Sequence, residues 1–154
     1  MIFTGHAELT IDGQHRLQIP AKIRAAWNPE LHGDHWICVP WPEDGGMLRL
    51  FPAKTFQKIA ADRPQSLMTS GARGRLEAQL FGMAEPLRPD SANRVKLHPM
   101  HIRQVALPKD VVVLGVNDHI EVRNRDVWMK SMDDIFSNLP QLAEEIERAN
   151  REAH

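Results

Sequence analysis

The chain has 154 residues, 42% of them hydrophobic and 25% charged, and a formal net charge of −1. That is the composition of an ordinary globule long enough to bury a core. No run approaches the roughly 18 apolar residues of a membrane span, and the balance is not that of a basic coat for nucleic acid, so any DNA contact needs a local patch. The opening MIFTGHAELT has no basic segment ahead of a long apolar one, so no secretory signal is expected. The single Cys38 sits in the apolar run WICV, which fits a buried thiol in a reducing cytoplasm.

In chain order, IFTGHAELTI alternates as a strand, and Asp12-Gly13-Gln14-His15 is turn chemistry. RLQI is a short strand with Leu17 and Ile19 on one face and Arg16 and Gln18 on the other. Pro20 suits a first helical turn, and AKIRAAW turns Ile23, Ala26 and Trp27 inward and Lys22 and Arg24 outward. HWICVPW and GMLRLF flank PEDGG, a hairpin with a loop of about five residues. Pro52 opens a helix, PAKTFQKIAAD, with Phe56, Ile59 and Ala60 inward. RPQSLMTSGARG reads as a linker and RLEAQLF as a short helix.

The first order then returns. GMAEPL is strand-like, DSAN is the turn, RVKL the short strand, and Pro99 opens the helix PMHIRQVAL. DVVVLGV and HIEVR flank the tight turn Asn117-Asp118. Asn124 caps RDVWMKSMDDIF, with Val127, Trp128, Met132, Ile135 and Phe136 inward. Pro140 closes that unit, and Gln141 to His154 form an appended helix with Leu142 and Ile146 as a weak stripe. The expected division is a first repeat at 1–64, linker and short helix at 65–79, a second repeat at 80–137, and a helical tail at 138–154. Neither repeat closes a core alone at this size, so both are expected in one pseudo-symmetric domain.

The candidate chemistry is cationic. Arg16, Lys22 and Arg24 form one compact cluster, and Arg94 and Lys96 a second; phosphates and guanine edges suit such groups. Asp12 and Asp90 stand four residues before Arg16 and Arg94, and they read as turn residues that accept backbone N–H bonds. The spacings His32-x-x-His35 and His98-x-x-His101 lack a paired cysteine or an HExxH partner, so no metal is expected. There is no phosphate-binding glycine loop or G-x-S-x-G elbow, and Cys38 has apolar flanks. The reading is therefore of no catalytic residues, no cofactor and no small-molecule substrate. Trp27, Trp36, Trp41 and Trp128 read as core or protomer interface.

The doubled Asp-x-x-x-Arg turn, each followed by a short strand, a proline and a helix, resembles the MraZ family of bacterial transcriptional regulators. IPAKIR, LFPAKTFQKI, LFGMAE and DVVVLGVNDHIEVRNRDVW occur in that family's order. The resemblance implies an α+β, mostly β fold: a pseudo-two-fold double swapped-hairpin barrel of the AbrB type, with short helices and a C-terminal helix. It also implies a ring-shaped homo-oligomer in the cytoplasm, associated with the nucleoid. The first-motif arginines would bind short direct repeats in double-stranded DNA, in the promoter of the division and cell-wall gene cluster, usually repressing it. The family usually has glycine before the motif arginine, where this chain has His15 and Asn93; both are expected at positive φ. RVKLHP has one residue more than RLQIP before its proline, which predicts a bulge or a flip, so that Arg103 is not presented as Arg24 is. The hairpin PWPEDGG is longer and more acidic than expected. The alternative is an antitoxin-like or protein-binding module on the same fold, with a partner held by the tail. An enzyme with a dispersed site comes third.

Overall fold

The computed structural model describes residues 2–62 and 71–153. Residues 63–70 of the expected linker lie outside them. The first half runs β1 (His6–Thr10), β2 (Arg16–Gln18), α1 (Ala21–Ala26), α2 (Pro29–His32), β3 (Trp36–Trp41), β4 (Met47–Pro52) and α3 (Ala53–Ala61). After α4 (Gly71–Gly82) come β5 (Glu85–Leu87), β6 (Arg94–Lys96), α5 (Pro99–Gln104), β7 (Asp110–Val116), β8 (His119–Asn124) and α6 (Arg125–Glu152). The fold is mixed α+β with antiparallel pairing throughout its strand ladders.

Six strands form one sheet in the order β1-β7-β8-β4-β3-β5, while β2 and β6 pair separately. Exchanging β1 with β5, β3 with β7 and β4 with β8 returns the same order reversed, so the sheet has a pseudo-two-fold axis between β4 and β8. Each half lends its first strand to the other half's hairpin. The buried set follows the same symmetry: Leu17 and Ile19 of one half meet Val95 and Leu97 of the other, above Leu48, Leu50, Ile120 and Val122. Each such side chain contributes about 1.5–3 kcal/mol by leaving water. Trp36 and Phe3 close one end, with ring centroids 5.6 Å apart. Gly115 lets the N-terminal segment approach, since a β-carbon there would lie 2.5 Å from the Thr4 nitrogen.

The structure differs from the sequence reading in five places. α4 already starts at Gly71, within the expected linker and ahead of RLEAQLF. Ile59 is exposed, and α3 is anchored instead by Phe56, which packs against Phe51 and Phe81. Val127, Met132, Ile135 and Phe136 are also exposed, because α6 touches the sheet (β7 and β8) only at its start. Pro140 does not end that helix. The helix runs unbroken from Arg125 to Glu152.

The last difference is in the second motif, which has no bulge: Arg16 faces Lys96, Leu17 faces Val95 and Gln18 faces Arg94 in unbroken register. The additional residue, His98, becomes the N-cap of α5, its Nδ1 accepting from the Met100 N–H, while Pro20 holds the N-cap position of α1. Both N-caps therefore stand four residues past their arginine, and both helices start at the fifth. By register Met100 and Ile102 match Lys22 and Arg24, and Arg103 matches Ala25. The second helix does not repeat the cationic face of the first.

The acidic hairpin also finds its reason. Asp44 sits 3.2 Å from Arg123 and Glu43 3.5 Å from Arg49, both of which flank the buried Glu121.

Candidate nucleic-acid interface

The β2–β6 ribbon organises the candidate residues. Alternation sends Leu17 and Val95 into the core and leaves Arg16, Gln18, Arg94 and Lys96 together on the other face. At each end the chain enters the ribbon through the same turn. Asp12 Oδ1 accepts from the backbone N–H of Gln14 (2.9 Å) and Arg16 (2.8 Å), and Oδ2 from Arg16 Nε (2.7 Å). Asp90 repeats this with Ala92 (2.9 Å), Arg94 N–H (2.9 Å) and Arg94 Nε (3.0 Å). The Arg16 N–H bond, with the lesser donors, holds the Asp12 carboxyl at about 2 against an ordinary 3.8. Asp90 is lowered in the same way, first by the Arg94 N–H.

The turns close because His15 and Asn93 take φ of 63° and 60°, the left-handed region. Their carbonyls then accept across the ribbon, from Leu97 N and Ile19 N at 2.8 and 2.9 Å. Each turn is thus bonded to the opposite half. Both arginines use Nε for the aspartate. Among the described residues this leaves their terminal nitrogens for another partner, and their side chains are 33% and 36% exposed.

Arg16 and Lys96 are brought directly opposite one another. Arg24 lies with Pro89 and Asn93 of the second turn along a small cleft floored by Ile19, Ile23 and Trp27. Lys22 is exposed, and its side chain runs over the Gly5 backbone. Gln18 is the residue that motif reading passed over. Its Nε2 donates to the Ala92 and Asn93 carbonyls at 2.9 and 3.3 Å, strapping the second turn to β2. Lys96 occupies the matching place in the other half. The only sequence signal for Gln18 was its position on the polar face of the strand.

The other candidates have structural work. His32 accepts from the Asn28 N–H at 2.8 Å, His35 pairs with Asp34 at 2.6 Å, and His101 donates to the Met83 carbonyl at 2.6 Å. Cys38 is fully buried, and burial pushes its thiol pKa far up, so it is not a nucleophile. Among the described residues no helix is long and apolar enough to cross a membrane.

Residues 80–151 match the family model described as "MraZ protein, putative antitoxin-like". Proteins named "Transcriptional regulator MraZ" align along most of the chain. That of Herpetosiphon aurantiacus is 30% identical over 94% of this chain and 96% of its own. The Salinispora arenicola protein is 31% identical over 90% and 94%, and that of Legionella pneumophila strain Corby 31% over 82% of each. With both Asp-x-x-x-Arg turns in matching geometry and this extent of likeness, the chain belongs to the MraZ family.

Proposed function

We propose that the protein is a transcriptional regulator that binds double-stranded DNA through the β2–β6 ribbon, with Arg16 as its principal base-reading group. The observation that carries this is the one-sided ribbon face. Arg16, Arg94 and Lys96 share it with a single neutral residue, Gln18, and two like charges face each other across the strands. Like charges directly opposite destabilise a ribbon, and phosphates relieve that repulsion. The major groove, about 12 Å wide, admits a two-stranded ribbon, and an arginine fork suits the guanine edge. Lys22 and Arg24 stand beside it as phosphate contacts, and Asp12, His15, Asp90 and Asn93 hold the turns.

This reading takes 1–64 and 80–137 as two repeats of one swapped-hairpin unit; the exchanged first strands and reversed sheet order support it. One unit offers few phosphate contacts. A ring of copies, each meeting one short direct repeat, gains about 10² to 10⁴ through avidity. Repression of the division and cell-wall gene cluster from its own promoter, in the cytoplasm at the nucleoid, is the role this assembly fits.

The test is a gel-shift titration against the DNA upstream of the protein's own gene, with a scrambled control, using wild type, Arg16→Ala and Lys22→Ala. Arg16→Ala is expected to lower specific affinity by about 1–3 kcal/mol per engaged site while scrambled DNA changes little. Lys22→Ala is expected to weaken both and flatten the salt slope by about one unit. Equal affinity of the wild type for both DNAs, with tight capture of a protein partner, would favour the antitoxin-like alternative.

A further inference from the structure

The continuity of α6 joins two apolar stripes that Pro140 separates in the sequence. Counted along one helix, Met132, Ile135, Leu139, Leu142, Ile146 and Ala149 follow each other at alternating steps of three and four. Trp128, four residues before Met132, extends the series to three heptads with every a and d position apolar. That 3.5-residue period is the signature of a helix that packs along another helix. Trp128 rests on His6, with centroids 5.0 Å apart. Beyond it the stripe is bare: Ile135 is 44%, Leu139 55% and Ile146 62% exposed. Pro140 falls at a b position, off the stripe, where its ring does not obstruct a partner.

We propose that this seam pairs with the α6 of a second copy, antiparallel. The flanking residues are compatible with a second copy, and the bulk of Phe136 and the helix dipoles favour the antiparallel direction. The g positions carry Ser131, Asn138, Glu145 and Glu152, and the e positions Met129, Phe136, Ala143 and Asn150. In the antiparallel register that sets Leu139 against Leu142 of the second copy, Met132 meets Ala149 and Ile135 meets Ile146. The same register faces Glu145 with Asn138 and Glu152 with Ser131, so each carboxylate meets a hydrogen-bond donor and none meets another carboxylate. It also sets the bulk of Phe136 against Ala143. A parallel pair instead puts Phe136 beside Ser131. Opposed helix dipoles add to the preference.

Three heptads extend about 33 Å. A seam about 10 Å wide then buries roughly 700 Å² over both helices, below the 1,200 Å² or more of a self-sufficient interface. The pairing therefore works as an added contact between copies, effective at high local concentration. It does not depend on DNA binding.

The experiment uses the full chain and cysteines on the seam, with the buried Cys38 silent. Under mild oxidation Ile135→Cys/Ile146→Cys is expected to cross-link into a covalent dimer, and Ile146→Cys alone is not. Leu139→Asp, at a position exposed in the single chain, is expected to keep the melting temperature and to weaken concentration-dependent association in sedimentation by about tenfold or more. Cross-linking of Ile146→Cys alone would mean a parallel pair and overturn the register. Absence of cross-linking in the double variant, or unchanged association of Leu139→Asp, would overturn the pairing itself.

Discussion

His15 and Asn93 occupy the left-handed region at φ 63° and 60° because the aspartate before each draws the chain into a closed turn. Glycine takes that conformation without cost but loses more chain entropy on folding. His15→Gly is therefore expected to change stability by less than about 1 kcal/mol, and His15→Ala to destabilise by about 1 kcal/mol. Paired urea melts of the two variants check this; equal losses would mean that the imidazole, not the backbone, matters. Asp12 makes a second residue-scale claim. Its carboxyl is held at about 2, first by the Arg16 N–H, so its folded pKa lies below the unfolded one. Its stabilisation is full above the ordinary value of 3.8 and is lost as pH falls toward 2. Asp12→Ala should lower the melting temperature at pH 7 more than Asp12→Asn, which keeps an acceptor for the two N–H groups, and the gap from wild type should close below pH 3. The sequence disclosed these turns fully, because Asp, the residue before Arg, and Arg each have a local preference. It did not disclose Gln18, whose partners lie 74 and 75 residues away.

Among the elements, the strands β4 and β8 carry a charge cluster. Glu121 is 3% exposed and accepts from His119 Nε2 at 2.8 Å and from Arg123 Nε and Nη2 at 3.0 and 2.5 Å. Burial raises its carboxyl, but the bonds from His119 and Arg123 outweigh that and bring it to about 2. Burial likewise lowers His119, yet its bonds to Glu121 and Asp118, one from each ring nitrogen, outweigh it and raise the pKa. Both nitrogens meet carboxylates, so the ring is held as imidazolium. The Glu121 contribution is present above its ordinary 4.5 and lost as pH falls toward 2. The His119 contribution is present below its ordinary 6.5 and lost as pH rises through the raised folded value. Stability should thus decline above neutrality, and His119→Gln should flatten that limb in thermal melts from pH 6 to 9. Glu121→Ala removes the buried partner of Arg123 and Arg49, leaving them the exposed Asp44 and Glu43, and should lower the melting temperature. No sequence rule pairs Asp44 with Arg123 across 79 residues, so the acidic hairpin looked arbitrary. The helices were harder still. Pro99 sits one residue later than Pro20 relative to its motif arginine, and only the backbone shows that His98 takes over the cap. In α6 the apolar period was plain, but whether it faces this chain or another is not a local property.

At the scale of the whole molecule, a symmetric arrangement of turns, ribbon and strand order carries an asymmetric charge. The two turns and the ribbon superpose in bonding pattern, while Gln18 and Lys96 occupy equivalent places and differ in charge. Gln18 straps the second turn, and Lys96 stands across from Arg16 as an added cation beside the first. With Lys22 and Arg24 on α1 and uncharged Met100 and Ile102 on α5, positive charge gathers on the first-motif side. Symmetry supplies the scaffold, and these few exchanges concentrate positive charge on one half of it. The arrangement predicts opposite signs for stability and binding at one position. Lys96→Gln removes a like-charged cross-strand pair, so it should leave the melt unchanged or raise stability by about 0.2–1 kcal/mol. If the ribbon lies on DNA, the same change should weaken specific and scrambled DNA alike and reduce the salt slope by about 0.9 for each protomer in contact. Melting curves and salt-dependent titrations on one preparation give both numbers. A Lys96→Gln protein that is as stable as the wild type and binds DNA with an unaltered slope would place Lys96 off the DNA. The reading surface would then have to shift toward α1 and Arg24.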